Sequence, residues 1–214
     1  QRKLEEFFLE ENSLRNGEKI LSCNFYQNMK AAKQKGLELI TEKEQFDFKG
    51  KDLYVIAAGP SLDVNLDQLL ERPKNSIVIA MGTVFRKLMK KGIRPDYVMI
   101  TDPNNRVISQ ITGLEGENIP LLLLSTANYQ FHRYYRGPIK FLFQKGYPIA
   151  LEYLNQMSGS KSPFLIETGG SVATACLDFA IQLNPARIIF LGLDLAYTNQ
   201  LAHATDTSQR LSAN

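Results

Sequence analysis

From residue 51 onward the chain alternates two kinds of segment, and this alternation constrains its fold more than any other feature. Short apolar runs stand at Leu53–Ala58, Ile77–Met81, Tyr97–Thr101, Leu121–Leu124, Ile139–Phe143 and Arg187–Leu191. Most are continuously apolar, the pattern of strands buried on both faces of a parallel sheet. Amphipathic stretches lie between them at Asp63–Leu70, Val84–Lys91, Ile149–Met157 and Ser171–Leu183. Strand, crossover helix and strand in succession is the signature of a right-handed α/β unit. The pattern predicts an α/β, Rossmann-like, mostly parallel sheet of about six strands with helices on both faces.

The first 48 residues follow a different rule and are read as a helical N-terminal segment, with the Rossmann-like domain over 49–214. Phe7, Phe8, Leu14, Ile20, Leu21, Phe25 and Met29 form a broken apolar stripe at helical spacing. Asn16-Gly17 reads as a turn between two helices, and Gly36 as the end of the second.

Charge and cysteine content remove several function classes. Lys and Arg number 25 against 22 Asp and Glu, a net charge of +3. A duplex nucleic-acid partner requires a clustered basic face, so none is expected. Cys23 and Cys176 are the only cysteines and make neither a disulfide framework nor a zinc quartet. No apolar run is long enough to span a membrane. No signal-peptide core follows Gln1, so a cytoplasmic location is expected.

In open α/β sheets, ligands bind beyond the carboxyl ends of the strands. The small, polar and acidic residues of this chain concentrate there. Ala57-Ala58-Gly59-Pro60-Ser61-Leu62 joins the first strand to a helix. Its two readings are a phosphate-binding turn at a helix N-terminus and a tight turn capped by Ser61 or Asp63. Gly82 and Thr83 follow the second strand. Thr101-Asp102-Pro103-Asn104 follows the third, where Asp102 either meets a ligand hydroxyl or starts a turn. No second carboxylate stands near it in sequence, so no dedicated metal site is assigned. Thr168-Gly169-Gly170-Ser171 precedes a long apolar helix and again offers free amides to an anion, or a loop that needs positive φ. Gly192-Leu193-Asp194-Leu195-Ala196-Tyr197 ends the last strand, with His203 beyond it as a candidate acid or base. Away from this edge, His132 with Arg133 and Arg136 forms a patch suited to an anion or to a solvated face. Lys87, Lys90 and Lys91 read as a solvated helix face.

Five of these segments occur together in order: Ala58-Gly59-Pro60-Ser61-Leu62, Gly92-Ile93-Arg94-Pro95-Asp96-Tyr97, Thr101-Asp102-Pro103, Thr168–Ala173 and Gly192–Tyr197 followed by His203-Ala204. The combination resembles the motility accessory factor family of flagellin glycosyltransferases. That family shares a domain with archaeal 6-hydroxymethyl-7,8-dihydropterin diphosphokinase, and its centre looks like bacterial sialyltransferases that use CMP-activated sugars. The resemblance implies transfer of a nonulosonic sugar from a CMP-type donor to a protein hydroxyl, flagellin being the implied acceptor. Gly59, Pro60, Ser61, Gly170 and Ser171 would then bind the donor nucleotide, with Asp102 and Asp194 at the sugar end. Leu62, Gly82, Thr83, Asn104, Gly169 and Tyr197 join the binding set, and His203 joins the two acids as a catalytic candidate. The other implied chemistry is pyrophosphoryl transfer from ATP to a pterin, with Mg²⁺ held by a carboxylate such as Asp102. A non-catalytic nucleotide-binding scaffold is the third.

Overall fold

The computed structural model describes residues 2–156, 163–195 and 203–208, with the backbone alone over 2–16. Seven parallel strands form its sheet: β1 (Asp52–Ile56), β2 (Ser76–Met81), β3 (Tyr97–Ile100), β4 (Leu121–Leu124), β5 (Ile139–Gln144), β6 (Leu165–Ile166) and β7 (Arg187–Leu191). Six match the apolar runs of the sequence. The seventh, β6, has two residues, too short for its apolar pattern to be read. β2, β3 and β4 are buried almost throughout, which is why their sequences do not alternate.

Among the described residues, seven α-helices accompany the strands: α1 (Arg2–Lys35), α2 (Glu42–Phe48), α3 (Leu62–Asn65), α4 (Phe85–Lys90), α5 (Phe131–Tyr134), α6 (Pro148–Gln156) and α7 (Val172–Gln182). The expected break at Asn16-Gly17 is absent, since α1 runs through both residues. One glycine costs a helix about 1 kcal/mol, which a helix of 34 residues absorbs. Gly36 does end α1, with φ +93°. The helix expected over Asp63–Leu70 is tighter than its pattern suggested: α3 is one turn long and continues as a 3₁₀ turn over Leu66–Leu69.

The strand order is β6-β5-β4-β3-β2-β1-β7. Strands β1 to β6 step in one direction, and β7 returns to the far side of β1. Right-handed crossovers therefore send α7 to the opposite face from α3 and α4. Phe179 of α7 meets Phe48 of α2 edge-on, 6.3 Å between ring centroids. The returning strand is clamped at its start, where Arg187 forms a bidentate pair with Asp52 at 2.8 and 2.6 Å.

Helix α1 is pinned across the carboxyl ends of β3 and β4 by two buried asparagines. Asn24 Nδ2 donates to the carbonyls of Pro103 (3.0 Å) and Thr126 (3.2 Å). Asn28 Nδ2 donates to those of Ser125 (2.9 Å) and Ala127 (2.8 Å). These are backbone groups at strand ends that no ladder satisfies, and a buried one needs a partner.

Candidate functional site

The order of the strands reverses between β1 and β7, and ligands of open α/β sheets bind at such a point. The loops leaving these two strands touch backbone to backbone. The Gly59 amide donates to the Gly192 carbonyl at 2.7 Å. A Cβ on Gly59 would stand 2.6 Å from that oxygen and 2.7 Å from Asp194 Cγ. Gly192 has φ +72°, and a Cβ there would meet the Ala57 oxygen at 2.4 Å.

This contact carries Asp194 to the Gly59-Pro60-Ser61-Leu62 turn. The Ser61 amide donates to Asp194 Oδ2 at 2.7 Å, and Ser61 Oγ donates to Oδ1. The Leu62 and Asp63 amides donate within the turn to the Gly59 and Pro60 carbonyls. Ser61, Leu62 and Asp63 thus spend their amides inside the protein, and a carboxylate stands beside Ser61. In this arrangement the turn clamps two loops together. Ser61 precedes α3 without making a side-chain cap.

A cavity of about 360 Å³ opens beside the clamp, lined by Ala58, Gly59, Thr83, Val172, Asp194 and His203 among others. His203 owes its place to the short segment 203–208. The Ala204 amide donates to the Ala58 carbonyl at 2.7 Å, and the Ser208 amide to that of Thr83 at 3.1 Å. Lys87 and Asp63 fasten the same segment. Lys87 Nζ reaches Asp63 Oδ1 at 2.5 Å and the Thr205 carbonyl at 2.9 Å. Asp63 accepts from the Thr205 amide and hydroxyl, both at 2.9 Å. Lys87 is therefore no part of a solvated face: it is 5 % exposed. Its donors hold the carboxylate of Asp63 below the ordinary range, against the opposing effect of burial. Helical spacing did not distinguish it from Lys90, which is exposed.

Thr83 and Val172 also line a second cavity of about 440 Å³, so the two spaces adjoin along the carboxyl edge. Here α7 points its N-terminus inward. Gly169 and Gly170 adopt φ +49° and +76°, and no atom lies within 4 Å of a Cβ built on Gly170. Ser171 is the N-cap, its Oγ accepting from the Thr174 amide at 3.1 Å. The first amides of the helix, at Val172 and Ala173, have no intrahelical acceptor. They and the helix dipole suit an anion.

Asp102 lines this cavity too. Its Oδ1 accepts from the Asn104 amide and side chain, both at 2.8 Å, so it starts the turn as one of its two readings has it. Asn104 holds that carboxylate and lines a neighbouring cavity. Gly82 leaves room for Gln110, whose Oε1 would sit 1.9 Å from an added Cβ. Tyr197 lies outside the described residues.

Three polar residues of the larger cavity carried no motif: Gln110, Thr126 and Gln144. Thr126 Oγ1 is buried there without a partner. Its position just past β4 was the available signal; Gln110 had none, because only the fold brings its 3₁₀ segment against Gly82.

His132 stays away from both cavities. Its ring lies against Phe141, 5.5 Å between centroids. Burial, helped by Lys35, pushes its imidazole down to about 4 from 6.5. The unfolded chain therefore takes up a proton in this window that the folded chain refuses. Stability is full above pH 6.5 and falls as pH drops toward 4. The expected loss is about 2 kcal/mol, allowing for partial exposure. Urea midpoints across that window should show it, and His132→Gln should flatten the slope.

Among solved structures, the chain is similar to the Maf glycosyltransferase of Magnetospirillum magneticum AMB-1, with a TM-score of 0.58 and 18 % identity. The alignment covers 77 % of this chain and 24 % of that one, so the likeness concerns the fold of about a quarter of the larger protein. No curated protein matches by sequence. Residues 23–200 match the family described as 6-hydroxymethylpterin diphosphokinase MptE-like, a span from the docked part of α1 past Asp194. On that match, over most of its length, the chain belongs to the MptE-like family.

Proposed function

We propose that this chain is the donor-binding domain of a glycosyltransferase that moves a nonulosonic sugar from a CMP-activated donor to a protein hydroxyl. The observation that carries the reading is the pair of adjoining cavities, one facing the α7 N-terminus and the other holding Asp194 and His203. Flagellin is the acceptor implied by the resemblance to motility accessory factors, and the Maf glycosyltransferase fold supports a sugar transferase.

The donor phosphate rests on Gly170, Ser171 and the free amides of α7. Gln110 and Gln144 offer hydrogen bonds to the nucleoside, Thr126 forms part of the wall, and Asp102 faces its ribose side. The sugar passes Thr83 and Val172 toward the cavity that holds Asp194 and His203. There the acceptor oxygen forms a bond to the anomeric carbon as the bond to the phosphate oxygen breaks. CMP leaves as an anion, and the α7 amides stabilise the charge as it develops. His203 accepts the proton of the acceptor hydroxyl. Asp194, locked to Ser61, fixes the shape of the cavity it shares with His203.

The family description favours a second reading, pyrophosphoryl transfer from ATP to a hydroxymethylpterin. It requires Mg²⁺. Among the described residues, no group of three His, Cys, Asp or Glu converges. Asp102, with Oδ1 already engaged by Asn104, would be a lone protein carboxylate beside the substrate phosphates.

Turnover separates the two. CMP release from a CMP-nonulosonic sugar, stimulated by a Ser/Thr peptide and unaffected by a chelator, is the expected result. His203→Ala should slow it by roughly 10²-fold or more. AMP release from ATP that depends on Mg²⁺ and on hydroxymethylpterin would establish the second reading instead.

A further inference from the structure

A third cavity, of about 360 Å³, lies at the amino-terminal end of β5, between the end of α1 and the α5–β5 loop. Lys35, His132, Arg133 and Arg136 line it, with Glu38 as the acid in the wall. Three cations against one carboxylate leave an excess of two positive charges around one space. The proposed donor site uses none of these residues.

Their bonding is incomplete. Lys35 Nζ donates once, to the His132 carbonyl at 3.2 Å, and an ammonium has two further donors. Arg133 lies over the Tyr134 ring, 5.5 Å from its centre, and its guanidinium N–H groups make no hydrogen bond in the described structure. Arg136 contributes its backbone amide to the Glu115 carbonyl, and its guanidinium, which makes no hydrogen bond among the described residues, lies near enough to help lower the Glu115 carboxylate. Most telling is His132, whose Nε2 is buried and has no partner. A buried polar atom left unpaired is costly. Capping of the α1 and α5 C-termini accounts for Lys35. It does not account for Arg133 and Arg136, which line the same cavity.

We infer that this cavity is a second ligand site, distinct from the donor groove, that takes a dianionic phosphomonoester. Arg133 and Arg136 present planar forks of donors suited to phosphate oxygens. Lys35 adds a point charge from the opposite wall. The imidazole, neutral near pH 7 because burial opposes its charging, forms part of the wall beside these cations and adds no charge of its own. The volume exceeds that of a bare phosphate, which leaves space for a small esterified group.

Calorimetric titration with inorganic phosphate, and in parallel with a hexose 6-phosphate, tests this. Both Arg133 and Arg136 are exposed, so Arg133→Gln and Arg136→Gln leave the fold intact, which a melting curve verifies. Saturable binding is expected, weakened by about tenfold in each variant, the loss of one charged hydrogen bond. The His132 ring resonances should move on binding. Gly170→Val, in the donor groove, should leave this affinity unchanged. Tighter binding of the sugar phosphate than of phosphate would identify an esterified ligand; equal affinity would restrict the site to the free anion and overturn the ester. Absence of saturable binding, or an affinity indifferent to both arginine variants, would overturn the site itself. CMP binding in the donor groove is measured separately, so failure here does not bear on that reading.

Discussion

Gly59→Ala is expected to destabilise the protein by about 3 kcal/mol, lowering the thermal midpoint by roughly 6–12 °C. The added Cβ would lie 2.6 Å from the Gly192 carbonyl and 2.7 Å from Asp194 Cγ. Neither atom is the loose end of a flexible chain. The oxygen is backbone already bonded to the Gly59 amide, and the carboxylate is bonded to Ser61. The β1 and β7 loops would have to separate, and the Ser61–Asp194 clamp would go with them. Gly192→Ala should behave alike, since its Cβ meets the Ala57 oxygen at 2.4 Å on a backbone at φ +72°. Gly116→Ala is the control: no atom stands within 4 Å and φ is unexceptional, so its midpoint should hardly change. Thermal melts of the three variants, followed by far-ultraviolet circular dichroism, decide the matter.

Lys87→Met carries the second large effect, about 3 kcal/mol. The ammonium is almost wholly buried and serves Asp63 and Thr205 together. Removing it leaves a carboxylate with 31 % side-chain exposure short of its cation. That carboxylate keeps its two Thr205 donors and some solvent, so the cost falls at the lower end of what breaking a buried pair costs. The double variant Lys87→Met, Asp63→Leu should therefore cost less than the sum of its parts, and denaturant midpoints would expose the coupling. The same single variant loosens the segment that places His203, so turnover should fall further than stability alone explains.

The sheet was legible because its physics is local. Residues such as Leu121–Leu124 have no polar alternation, and only a strand covered on both faces tolerates that. The carboxyl edge was legible for the same reason, since glycines and short polar residues gather where strands stop. Pairing across that edge was not. Ser61 and Asp194 are each turn-like in sequence, and their bond depends on β7 returning beside β1. Lys87 and Lys90 share a helix and a composition; only Asp63 and Thr205, distant in sequence, separate a buried cation from an exposed one. The continuous α1 shows the opposite failure. Asn16-Gly17 is a sound local turn signal, overridden by the length of the helix on either side.

The central claim is that the groove at the α7 N-terminus holds a CMP-type donor without metal. Calorimetric titration of CMP in the presence of a chelator, on the wild-type chain and on Gly170→Val, tests it most directly. Gly170 sits at φ +76° beside the free helix amides, where a branched side chain strains the turn and fills the anion's place. The account predicts chelator-insensitive CMP binding that is lost in the variant. Binding of ATP only with Mg²⁺, or CMP affinity equal in both proteins, would contradict it.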